Sequence, residues 1–92
     1  MTTLRIEHPV RDYDLWKQAY DSDPTKREQS GVRRYRVLQA TDDPNYVMID
    51  LDFDNLKDAE AMLASLRDLW RTRDDHGAAT TRFAEVKETK EY

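Results

Sequence analysis

The sequence contains no cysteine, only two glycines and no long apolar run. The lack of cysteine excludes disulfides, thiolate zinc sites and a cysteine nucleophile. Two glycines leave no glycine-rich phosphate loop, so nucleotide chemistry is not expected. The apolar runs are too short to span a bilayer, and the N-terminus lacks the basic and apolar regions of a signal peptide. We therefore expect a cytoplasmic protein that does not associate with membranes.

The charge pattern also excludes a class of partner. The net charge is −4 and the two signs are interleaved, so there is no basic field that would attract nucleic acid. The 92 residues are enough for one domain, 1–92, and for one core. Hydrophobic residues make up 38% of the chain and charged residues 37%, which is lean for an isolated small domain and favours an oligomer.

Four segments have the alternating pattern of half-buried strands. They are TLRIEHPV at 3–10, VRRYRVLQ at 32–39, YVMIDLDF at 46–53 and TTRFAEVKE at 80–88. The connection ATDDPN between the second and third segments has the Asp, Pro and Asn of a tight turn, which predicts a hairpin.

Two segments have helical spacing. DYDLWKQAYDSD at 12–23 begins with Asp12 or Asp14 as N-cap, and Asp23-Pro24 is expected to begin a further short helical turn. After Asp54 or Asn55, apolar residues recur at intervals of three and four as far as 70. The order β-α-β-β-α-β predicts an α+β, ferredoxin-like domain with a four-stranded antiparallel sheet.

Two aspartates interrupt the most apolar strand at alternate positions. Asp50 and Asp52 point away from Ile49 and Leu51, and two helices cover only one face of a four-stranded sheet. The aspartates are therefore expected on the other face, near Arg34 and Arg36 of the neighbouring strand, with the exact register left open. That face either lies in water or packs against a second subunit.

The segments HPVRDYDLWKQAYD and GVRRYRVLQATDDPNYVMIDLDFDNLKDAEAML together resemble the dimeric α+β barrel superfamily, and more narrowly its antibiotic biosynthesis monooxygenase-like members. The resemblance implies a homodimer in which two sheets pack face to face. It also implies a cavity between the sheet and the helices of each subunit, where a small aromatic substrate is oxidised without a cofactor. It leaves open whether this chain is an enzyme; the alternative is a non-catalytic homodimer that binds or senses a small ligand.

Within that resemblance, the candidate catalytic residues are His8, Trp16 and Arg33, as groups that could stabilise negative charge or, for His8, accept a proton. Each has a purely structural alternative. His8 can be a buried histidine bonded to a backbone carbonyl, and Trp16 can be a core residue. No signature motif decides between these interpretations.

Haem and metal chemistry are not expected. Haem-degrading members of the superfamily are similar in using Asn, Trp and His, but here Trp70 and His76 are only six residues apart and the first strand has no Asn. Glu7 and His8 point to opposite faces of their strand and cannot bind one metal ion together. No cofactor is expected.

Overall fold

The computed structural model describes residues 1–71 and 79–92, and its elements follow the predicted order. The strands are β1 (Thr2–Pro9), β2 (Val32–Ala40), β3 (Asp43–Phe53) and β4 (Thr80–Glu85), and the helices are α1 (Tyr13–Asp21) and α2 (Leu56–Arg71). Neither helix of the described chain has the length and apolar character needed to cross a membrane.

The four strands form one antiparallel sheet in the order β2-β3-β1-β4. β1 and β3 are the central neighbours, with Leu4 opposite Leu51 and Arg5 opposite Asp50. The predicted ferredoxin-like fold is therefore confirmed. Because side chains alternate along a strand, this register gives the sheet one apolar face and one charged face.

The core lies between the apolar face of the sheet and the two helices. Leu4, Val47 and Phe53 have no exposed surface, and Met62 of α2 is 2% exposed. In contrast to α2, α1 contains no fully buried residue. Its inner surface consists of aromatic rings that pack against the core and are only partly buried.

Side-chain caps fix where each helix begins. The Asp12 carboxylate accepts a hydrogen bond from the backbone N–H of Leu15 at 3.1 Å. The side-chain oxygen of Asn55 accepts one from the N–H of Asp58 at 2.9 Å. Of the two candidates for each cap, the structure thus selects Asp12 and Asn55, which satisfy N–H groups that the helix cannot bond itself.

The hairpin between β2 and β3 is tighter than expected and contains a bulge. Ala40 pairs with Asp43, which leaves two residues in the turn, and β3 begins before Tyr46. At the other end, Val32 pairs with Phe53 but Arg34 pairs with Asp52, so Arg33 is an extra residue in β2. In a regular strand, residues two positions apart lie on the same face of the sheet. Because of the bulge, Val32 lies in the core and Arg34 lies on the opposite face.

Some expectations need correction or fall outside the described residues. Residues 23–30 form a series of turns rather than the expected helical turn. Asp23 has a positive φ of 55°, which is incompatible with an N-cap in extended conformation. The last strand ends at Glu85 instead of continuing to residue 88. The predicted helix stop at Gly77 and the residue His76 lie outside the described residues.

Candidate functional site

His8 lies on the apolar face of β1 and is 2% exposed. Its Nδ1 is 3.0 Å from the carbonyl oxygen of Pro9. A carbonyl oxygen only accepts hydrogen bonds, so Nδ1 carries the proton and Nε2 carries the lone pair in the neutral ring. The geometry thus includes the carbonyl bond of the structural alternative.

The His8 ring begins a continuous row of aromatic rings, which we call the aromatic row: His8, Trp16, Tyr20 and Tyr35. The centroids of His8 and Trp16 are 6.1 Å apart in an edge-on arrangement. Trp16 and Tyr20 are 5.2 Å apart, and Tyr20 and Tyr35 are 5.3 Å apart. These distances are typical of favourable ring pairs, and the row links β1, α1 and β2 along one side of the core.

Arg27 packs against the rings of Tyr20 and Tyr35 at the end of the aromatic row. Its guanidinium carbon lies 3.9 Å from the centroid of the Tyr20 ring and 5.1 Å from that of Tyr35. It also donates to the backbone carbonyl oxygen of Tyr20 at 2.9 Å and is ion-paired with Asp23. No pattern in the sequence singles out this residue, because the turns at 23–30 and not its spacing bring it between two tyrosines.

The hydroxyl of Tyr20 is buried and makes no hydrogen bond to the part of the chain that the structure describes. Burial raises the pKa of Tyr20 well above its ordinary value, with a smaller opposing effect of the Arg27 charge. The hydroxyl therefore stays protonated and is a hydrogen-bond donor without an acceptor among the described residues. A buried polar group in this state is costly and in native proteins calls for an explanation, such as a bound water or a ligand.

A cavity of about 70 Å³ lies beside this tyrosine, between α1 and the end of α2. It is lined by Trp16, Ala19, Tyr20, Pro24, Arg27, Leu69 and Trp70. An engineered cavity that accepts benzene is about 150 Å³, so this one must widen before it holds an aromatic ring. Its lining offers apolar contacts and hydrogen-bond donors.

Of the three candidate residues, the structure brings His8 and Trp16 together and places Arg33 elsewhere. Arg33, at the bulge, is half exposed and its guanidinium forms an ion pair with Asp54 at 3.0 Å. That hydrogen-bonded pair raises the pKa of Arg33. Arg33 lines a surface groove together with Arg27 and Tyr35 and is absent from the lining of the cavity beside Tyr20.

The second notable surface is the charged face of the sheet, which we call the open face. Asp50 accepts hydrogen bonds from Arg5 Nε at 2.7 Å and from Arg36 at 3.0 Å. Asp52 is paired with Arg34 at 2.9 Å and accepts a hydrogen bond from Thr3. The expected pairing across the hairpin is confirmed, with Arg36 opposite Asp50 and Arg34 opposite Asp52.

The stability that Asp50 provides is expected to depend on pH. Its pKa is lowered from the ordinary 3.8, chiefly by the hydrogen bond from Arg5 and then by that from Arg36, against the effect of burial. A carboxylate whose folded-state pKa is depressed stabilises the fold fully above the unfolded-state pKa and loses this contribution as the pH falls through the folded-state value. Urea titrations of the native protein and of Asp50→Asn should therefore differ most above about pH 5 and converge as the pH is lowered toward the depressed pKa. A difference that stays constant on acidification would contradict the assignment.

No group of three or more His, Asp or Glu side chains converges as a metal site within residues 1–71 and 79–92. The charged clusters of the open face consist of carboxylates paired with arginines, an arrangement that neutralises the carboxylates within the protein itself.

No protein-family model matches the sequence, and no curated protein matches it significantly. Solved structures do match. A candidate antibiotic biosynthesis monooxygenase from Nitrosomonas europaea is similar over 96% of this chain and 100% of its own, with 20% identity and a TM-score of 0.74. A mutant of SnoaB, a cofactor-independent oxygenase from Streptomyces nogalater, is similar over 96% of this chain and 94% of its own, with 11% identity and a TM-score of 0.77. The chain shares their fold.

A dimeric ferredoxin-like protein from an uncultured marine organism is also similar, over 97% of both chains, with 13% identity and a TM-score of 0.72. These comparisons confirm the resemblance seen in the sequence at the level of the fold. Proteins with one fold carry out many different reactions, so activity has to be argued from the site.

Proposed function

We propose that this chain is a cytoplasmic homodimer that binds a small aromatic molecule between the sheet and the helices of each subunit and oxidises it with O2 without a cofactor. The observation that carries the proposal is the buried Tyr20 hydroxyl, a donor without an acceptor among the described residues, at the edge of a cavity walled by Trp16 and Trp70. A hydroxylated or carbonyl-bearing ring would stack on the indoles and accept the hydrogen bond of Tyr20.

The chemistry needs a substrate that becomes an electron-rich anion on losing a proton. An activated methylene in a hydroxylated polycyclic ring would be converted to a carbonyl, with one O2 consumed and one water released. The protein would have to exclude water and stabilise the oxyanion, for which Tyr20 and Arg27 are the available donors. His8, whose ring contacts Trp16, would accept the substrate proton. Arg33 does not line this cavity.

A second function, ligand binding without chemistry, is favoured by one feature of the cavity. Among the described residues that line it there is no carboxylate and no imidazole, and His8 adjoins it through its ring contact with Trp16. A site with donors and no base binds an oxygen-bearing ring but does not remove its proton. The homodimer would then carry or sense a small molecule.

Oxygen uptake separates the two functions. We expect purified protein in chelator-treated buffer to accelerate O2 consumption by one or more members of a panel of hydroquinones and anthrones above their spontaneous oxidation. His8→Gln should lower this rate about 100-fold, since general bases typically contribute about 10²–10⁴. Arg67→Gln, an exposed change on α2, is the matched control and should leave the rate unchanged.

An absence of uptake over the whole panel, together with thermal stabilisation by one compound that is recovered unchanged, would overturn the monooxygenase proposal and favour the binding function. Uptake that persists in His8→Gln would show that His8 is not the base.

The exposure of the charged side chains on the open face supports the proposed homodimer. The side chains of Asp50 and Asp52 are only 9% and 10% exposed, whereas the arginines that pair with them, Arg36 and Arg34, are 64% and 66% exposed. A second open face packed on the first would cover these guanidiniums, as two sheets pack in known sandwiches. Native mass spectrometry under non-denaturing conditions tests this part, and a monomer at micromolar concentration would contradict it.

A further inference from the structure

The open face contains one arginine, Arg82, that forms no ion pair with a described residue of the chain. Arg82 of β4 lies directly opposite Arg5 of β1, so two like charges are neighbours across the strands. Arg5 is paired with Asp50. The side chain of Arg82, by contrast, is exposed and has neither an ion pair nor a hydrogen bond to the residues that the structure describes.

The open face also contains one carboxylate, Glu7, that forms no ion pair in the described part of the chain, although, in addition to the hydrogen bond with Asp50, its charge contributes to the raised pKa of Arg5. Of its three acidic strand residues, Asp50 and Asp52 are each bound by arginine. The third, Glu7, accepts a single hydrogen bond, from the Tyr46 hydroxyl at 3.1 Å, and no cation lies within ion-pair distance among the described residues. Glu7 is opposite Met48 and Thr80 in the two strand pairs that involve β1, and neither supplies a charge.

Glu7 and Arg82 line the same depression of about 480 Å³ on the open face. We propose that they are the two halves of an ion pair between subunits, in which Arg82 of one copy binds the partner's Glu7. The inference rests on the homodimer proposed above and specifies its register. In a two-fold interface a contact of residue i with residue j is repeated as j with i, so one dimer contains the pair twice.

Distance and charge both suit this arrangement. Packed sheets lie about 10 Å apart, a gap that an arginine and a glutamate extending toward each other can span. The other three arginines of the open face are bound within the chain by its two aspartates. The pair between subunits therefore joins the arginine and the carboxylate of the open face that form no ion pair within the described chain, and the pair itself is neutral.

Charge reversal tests the pair. Glu7→Arg and Arg82→Glu should each weaken the homodimer by about tenfold or more, because each introduces two repulsive contacts. A mixture of the two variants should restore the affinity, since both contacts of the heterodimer again join an arginine to a glutamate. Dissociation constants would be measured by analytical ultracentrifugation, with Glu60→Arg and Arg67→Glu on the exposed side of α2 as controls.

The outcomes separate this pair from the dimer itself. If neither reversal weakens the dimer, the proposed pair is wrong. It is also wrong if the reversals weaken the dimer but mixing the two variants does not restore it, because the contact then lies within one chain. A native protein that is monomeric would overturn the homodimer. Should the reversed chains not fold, as seen by circular dichroism, the double-mutant cycle of Glu7→Gln and Arg82→Gln gives a second test, in which zero coupling contradicts the pair.

Discussion

Replacement of Asp50 by alanine is expected to lower the free energy of unfolding by about 2–3 kcal/mol. The carboxylate is 9% exposed and accepts hydrogen bonds from Arg5 and Arg36, so its removal leaves two guanidiniums without their anion. Breaking a fully buried pair costs about 3–5 kcal/mol. The effect here is smaller because the side chains of Arg5 and Arg36 are 41% and 64% exposed and keep part of their hydration.

The measurement is urea unfolding followed by tryptophan fluorescence, at protein concentrations above and below the dissociation constant. Concentration matters because dimer formation adds to apparent stability. The matched control is Asp68→Ala, which removes an ion pair to Arg71 in which both side chains are at least 70% exposed. That change should cost under about 0.5 kcal/mol. Equal losses for the two variants would show that the buried carboxylate has no special role.

Tyr20→Phe is expected to raise stability and to reduce function. The substitution removes a buried hydroxyl that has no acceptor among the described residues and keeps the ring contacts with Trp16, Tyr35 and Arg27. Leaving such a group unsatisfied costs about 1–3 kcal/mol, so its removal should increase the free energy of unfolding by about 1 kcal/mol. Loss of one donor to a developing oxyanion lowers turnover by about 10²–10³.

The two effects of this variant are measured separately, by thermal unfolding without ligand and by oxygen uptake or ligand titration. Tyr13→Phe is the control, since the Tyr13 ring also contacts Trp16 and its hydroxyl is not among the buried groups that lack a hydrogen bond. A Tyr20→Phe protein that is less stable than the native one would indicate that the hydroxyl has an acceptor. If Tyr20→Phe is more stable than the native protein but binds the ligand with unchanged affinity, the Tyr20 hydroxyl does not bind the ligand.

The fold can be predicted from the sequence because its determinants are local and periodic. The alternation in 46–53 fixes which residues of β3 face the helices, and it assigns Asp50 and Asp52 to the open face before any pairing is known. For each helix start the sequence leaves two candidates, and only the geometry of the caps decides between them. The bulge at Arg33 escapes prediction, because an inserted residue in a charged strand leaves the hydrophobic pattern almost unchanged.

The candidate site is less accessible to sequence reasoning. His8 and Trp16 can be singled out one at a time, but their ring contact depends on how α1 crosses the sheet. Arg27 lies between two tyrosines because the backbone turns at Asp23 and Lys26, both with positive φ, and no spacing rule encodes that path. The unsatisfied hydroxyl of Tyr20 is a property of packing and has no counterpart in composition or period.

The bulge at Arg33 has a consequence for how the chain avoids aggregation. β2 is an edge strand, and an edge offers unpaired N–H and C=O groups to the edge strand of any other copy. The extra residue interrupts the regular spacing of those groups. Two such edges do not match in register, so growth of one continuous sheet from chain to chain is disfavoured at this edge.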